Sequence, residues 1–232
     1  MATLPTTRRS TEVAEFIKTL KPAATPTGRG RLIFALDATA SRERTWDRAC
    51  KLQSKMFQAT AALGGLDVQL AFYRGVDECK HSRWFTSAAG LKGAMNQVRC
   101  AGGETQIEQI LLHAIRETTA HKVGAMVFVG DACEEPLDRL CRHASELGRL
   151  GVPLFMFHEL GDDPAAGGIF QQLADRSHGA CFSFDATSAE RLRTLLGAVA
   201  VYATGGVKAL TAYGEGKSGE ILRLTAQLRR GG

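Results

Sequence analysis

Asp37, Thr39 and Ser41 alternate along one short stretch, one carboxylate and then two hydroxyls. In an extended loop, alternate side chains point the same way, so the three can converge on one point. Oxygen donors of this kind, one charged and two neutral, suit a hard cation such as Mg²⁺ or Mn²⁺. Five consecutive apolar residues, Leu32 to Leu36, run directly into them. Such a run reads as a strand buried on both faces, the signature of a central parallel strand. A loop leaving that strand lies at the carboxyl edge of the sheet, where open α/β sheets bind ligands.

The remaining chain supplies the elements that must hold this loop. Strands are expected over residues 68–73, 81–86, 125–129, 152–157 and 181–184, with helical apolar spacing between most of them. The short polar connection before residue 81 makes that strand antiparallel to its predecessor. The expectation is an α/β, doubly wound, mostly parallel six-stranded sheet with one antiparallel edge strand, covered by helices on both faces. Residues 42–63 should form the first helix of the domain, ending at Gly64-Gly65, and Thr187 with Glu190 should box the start of the last. Residues 31–203 are assigned to this domain. Residues 1–30 read as an appendage, a short amphipathic helix and a linker with two prolines and two glycines. Residues 204–232 read as a polar tail with a short helix carrying Ile221, Leu224 and Leu228.

Two further loops fall at the same edge. Thr105 comes after Gly102-Gly103-Glu104, and Asp131 after the apolar strand that ends in Gly130. With these in place the chain resembles the von Willebrand factor type A (VWA) family, whose fold is Rossmann-like and whose metal-ion-dependent adhesion site (MIDAS) combines an Asp-x-Ser-x-Ser loop, a Thr and an Asp. The motif falls on Asp37-Ala38-Thr39-Ala40-Ser41, Thr105 and Asp131, in the family's order, and the resemblance covers residues 31–203. It implies direct ligation of the ion by Thr39, Ser41 and Thr105, with Asp37 and Asp131 acting through water. It also implies an open position for a carboxylate from a protein partner. Thr39 departs from the family's Ser; it keeps the hydroxyl, while its methyl stiffens the side chain.

Composition limits the other readings. At 232 residues, 44% apolar and 23% charged, the chain is ordinary for a globular protein. Its net charge of +5 is spread without a dense run, so no nucleic-acid partner is expected. Six cysteines without a Cys-x-x-Cys pair argue against zinc and for a reducing compartment. No signal-peptide core and no run of about 20 apolar residues stands out, so a cytoplasmic protein without a membrane contact is expected. Gly214-Glu-Gly216-Lys217-Ser218 lacks the leading glycine and buried strand of a phosphate loop. Asp37 after a buried strand is also the place of a phosphatase nucleophile, but Thr39 stands where a second acid belongs. His113 and His143 are expected to be packing or surface residues; Glu134 and Glu135 either add negative field at the rim of the site or, the preferred reading, make a solvated helix start. The expected function is a non-enzymatic interaction module, a subunit or adaptor of an intracellular complex. The alternatives are a metal-dependent phosphohydrolase on the same fold and a structural subunit with a vestigial site.

Overall fold

The computed structural model describes residues 29–43, 54–61, 64–161, 163, 165–185, 189–214, 221 and 224. Trp46 and Cys50 of the expected first helix, Thr187 of the expected capping box, the expected N-terminal helix and the 214–218 motif (apart from Gly214) lie outside them.

Six strands form one sheet: β1 (Gly30–Asp37), β2 (Leu66–Arg74), β3 (Glu78–Phe85), β4 (Ala125–Gly130), β5 (Leu154–Glu159) and β6 (Ala180–Phe184). Their order is β3-β2-β1-β4-β5-β6, and only β3 runs antiparallel to its neighbour. The chain winds outward from β1 in one direction and then from β4 in the other. The winding therefore reverses between β1 and β4, where the carboxyl ends of two adjacent strands leave a crevice.

Helices cover both faces because the strands are apolar on both. On one side, α1 (Ser54–Thr60), α2 (Ala88–Met95) and α6 (Ala189–Gly214) pack over Leu32, Phe34 and Leu36. On the other, α3 (Ile107–Ala120), α4 (Leu137–Arg149) and α5 (Ala166–Arg176) pack over Ile33, Ala35, Met126 and Phe128. Ser87 caps α2 by accepting from Gly90 N.

Two boundaries differ from the sequence reading for identifiable reasons. β5 continues past Phe157 through His158 and Glu159, both buried. A glutamate reads as the end of an apolar strand, yet here an ion pair lets it stay inside. At Gly206, φ is +64°, and the helix kinks and resumes through Gly214. Leu210, Ile221 and Leu224 beyond the kink join the same apolar cluster as the sheet. The segment Leu192–Gly214 is also long and apolar enough to cross a membrane, which differs from the sequence reading; it packs against α1 and β1, and 56% of its most apolar stretch is buried.

Candidate functional site

Asp37 is the last residue of β1 and 1% exposed. Its Oδ1 accepts from Thr39 N at 2.7 Å, and its Oδ2 accepts from the Tyr73 hydroxyl at 2.9 Å. The first bond bends the chain straight out of the strand and into a 3₁₀ turn, Ala40–Arg42. Thr39 and Ser41 thereby face one another, their hydroxyl oxygens 3.1 Å apart. Two neighbouring ligands of an octahedral Mg²⁺ at about 2.1 Å lie about 3.0 Å apart, so the pair already has that spacing.

The second loop is held by backbone. Ala101 N donates to Ala38 O at 3.1 Å, and Gln106 Nε2 reaches Gly75 O at 3.2 Å. Gly103 presses on the β2–β3 turn so closely that a Cβ there would lie 2.0 Å from Gly75 O. Thr105, at the end of this loop, exchanges two bonds with the loop after β4. Its N–H donates to Glu134 Oε2 at 2.8 Å, and its hydroxyl accepts from Glu134 N at 3.1 Å. Glu135 then accepts from Ile107 N at 2.5 Å and Glu108 N at 2.8 Å, capping α3 from another segment. These two acids do not start the helix that follows them; they join the Thr105 and Asp131 loops, with the exposed Glu134 also at the rim of the cleft.

Asp131 leaves β4 after Gly130, which sits beside Asp37; a Cβ at Gly130 would come within 3.5 Å of the Asp37 Cβ. Its Oδ1 is buried and has no hydrogen-bond partner among the described residues. Its charge acts on the buried Arg42 guanidinium, while this oxygen keeps its lone pairs for a further donor or cation. All five sequence candidates, Asp37, Thr39, Ser41, Thr105 and Asp131, line one cleft of about 850 Å³. Glu43, Glu134, Glu159 and Asp163 line it too.

Electrostatics reflect this burial. Burial pushes the Asp37 carboxyl up, opposed by its bonds to Thr39 and Tyr73, while the Asp131 charge adds to the rise. Burial likewise pushes the Tyr73 hydroxyl well above its usual value, and the Asp37 charge reinforces it. Arg42 and Glu159 were missed by the sequence reading: they form a buried ion pair under the cleft. The available signal was Arg42 directly after Ser41, with Glu159 at the carboxyl edge of the strand next to β4.

Among the described residues, no group of three His, Cys, Asp or Glu side chains forms a metal cluster. The donors here are instead three hydroxyls and two acids, a set that fits Mg²⁺ or Mn²⁺ better than zinc. The hydroxyl spacing and the orphaned Asp131 oxygen agree with such an ion. The five described cysteines form no disulfide with one another, and Cys133 and Cys181 are buried.

No protein-family model matches the chain, and no curated protein does. Solved structures do. A von Willebrand factor type A protein from Catenulispora acidiphila superposes with a TM-score of 0.58 at 18% identity, over 73% of this chain and 42% of that one. The pilus adhesin SpaC from Lactobacillus rhamnosus GG, in an open conformation, gives 0.60 at 12% identity, over 77% and 30%. The SpRpn10 VWA domain gives 0.57 at 12% identity, over 74% and 95%. The chain thus spans less than half of the first two proteins and nearly all of the third. Together with the six-stranded order, these likenesses show that the chain has the fold of a von Willebrand factor A domain.

Proposed function

We propose that this domain is a protein-interaction module that holds Mg²⁺ or Mn²⁺ in its cleft and binds a partner's Asp or Glu through the ion. One observation carries the reading: three loops from β1, the 99–106 segment and β4 bring Asp37, Thr39, Ser41, Thr105 and Asp131 into one cleft, where the Thr39 and Ser41 oxygens lie 3.1 Å apart. Thr39, Ser41 and Thr105 would hold the ion, with Asp37 and Asp131 balancing its charge from behind. The ion would supply a Lewis-acidic position open to an incoming carboxylate. That adhesins and Rpn10 share the fold is in keeping with a binding role, since the fold itself does not specify one.

A phosphohydrolase reading fares worse. A nucleophilic carboxylate needs an oxygen facing the substrate, and both Asp37 oxygens are already engaged by Thr39 and Tyr73.

Asp131→Ala tests this directly: Asp131 Oδ1 has no hydrogen bond among the described residues to lose, and because its charge also acts on the buried Arg42 guanidinium, circular dichroism checks that the variant is folded. Isothermal titration of Mg²⁺ should give binding heat with the wild type and none with the folded variant. Equal heats from both proteins would remove Asp131, and with it the site, from the reading.

A further inference from the structure

Under the cleft lies a charge pair that no part of the five-residue motif includes. Arg42 is 2% exposed and heads the fully buried side chains by volume. Its guanidinium pairs with Glu159, which is 8% exposed at the end of β5 and lines the cleft. The charges of Asp131 and Asp37 both act on the same guanidinium. These three carboxylates outweigh the one guanidinium, and Glu43, Glu134 and Asp163 add to the negative charge of the cleft.

We propose that the Arg42–Glu159 pair sets the cleft's affinity for a divalent cation, Arg42 by repelling it and Glu159 by attracting it. This rests on the metal-site reading above. Removing Arg42 alone would make the site one charge more negative and tighten binding; removing Glu159 alone would make it one charge less negative and loosen it. An ion pair that merely pinned the 3₁₀ turn to β5 would behave otherwise, since breaking it from either side would damage the same loop and weaken binding both times.

The opposite signs make the test. Binding of Mn²⁺ alone can be read from loss of the free aqua ion's electron paramagnetic resonance signal, with circular dichroism monitoring the fold. Arg42→Gln should bind about tenfold more tightly and Glu159→Gln about tenfold more weakly. Arg42→Lys, and the double variant with both glutamines, should stay within about threefold of wild type. Loss of its partner leaves Glu159 buried and uncompensated, so Arg42→Gln is the variant at risk of not folding. In that event the double variant against Glu159→Gln reads the same Arg42 contribution, again about tenfold. Shifts of the same sign in the two single variants, or no shift while the wild type binds, would overturn this inference alone. No Mn²⁺ uptake by the wild type would overturn the metal-site reading and this inference together.

Discussion

Asp37 and His113 are both buried polar residues, and their partners decide what each can do. Asp37 gives one oxygen to Thr39 N and the other to Tyr73, so it shapes the loop and lends the cleft its charge. His113 instead serves the core. Its Nε2 lies 2.8 Å from Gln69 Oε1, and because Gln69 Nε2 donates to Ser82 O, the amide oxygen must accept and the imidazole must donate. The ring stacks on His81 at 4.1 Å between centroids. Burial, with the neighbouring His81, pushes its pKa down to about 4 from an ordinary 6.5. Below pH 6.5 the unfolded chain takes up a proton that the folded one refuses until about pH 4. Stability is therefore full above pH 6.5 and falls through that window as acid is added. Between pH 7 and 4.5 the loss from this residue should be roughly 2 kcal/mol. Denaturant melts of His113→Gln, which can still donate to Gln69, should show a shallower acid dependence than wild type; parallel curves would assign the dependence elsewhere.

The helix α3 shows how one element positions a site it does not itself contain. Its own N-cap, Gln106, turns its side chain to the β2–β3 turn and makes no capping bond, and the exposed N–H groups are met by Glu135 from the loop after β4. Thr105 immediately precedes this end and is joined to Glu134. Glu135→Ala should thus cost about 1–2 kcal/mol in chemical denaturation and weaken Mg²⁺ uptake several-fold through a looser Thr105. Glu135→Gln, keeping one acceptor oxygen, should fall between. Unchanged uptake in the alanine variant would mean that the loop is held without Glu135, by its bonds to Glu134 and its contacts to Ala38 and Gly75. None of this cross-loop capping was legible in the sequence, where Glu134 and Glu135 looked like local helix starters. The strands were legible because runs such as Leu32 to Leu36 are apolar on both faces, and each ends where its loop begins. Arg42 and Glu159 were not, because a charge inside a core is sensible only once its partner, 117 positions away in sequence, is known to be adjacent. Gly206 misled in another way: a Gly-Gly pair marks a turn by composition, but here it bends a helix whose apolar stripe resumes at Leu210.

Over the whole molecule, the distribution of charge matters more than its sum. The chain carries +5, yet Asp37, Glu43, Asp131, Glu134, Glu159 and Asp163 line the cleft, and among the described residues no Lys, Arg or His does. A concave site lined by one sign of charge concentrates ions of the other, so the fold draws cations toward the crevice between β1 and β4. That crevice joins segments far apart in the chain, with the Asp37, Thr105 and Asp131 loops each leaving a different part of the sheet or its flank. An ion bound to all three stabilises only the folded chain, since the unfolded one does not bring them together. At a Mg²⁺ concentration about a hundredfold above the dissociation constant, the gain is about 2.7 kcal/mol. For a chain of this length that raises the melting temperature by about 5–10 °C. NaCl at matched ionic strength should not reproduce the rise, because screening of a +5 surface gives no ion-specific contact. Asp131→Ala should melt at one temperature in both salts. A rise of equal size in NaCl, or an undiminished Mg²⁺ effect in the variant, would locate the stabilisation on the surface charge and away from the cleft.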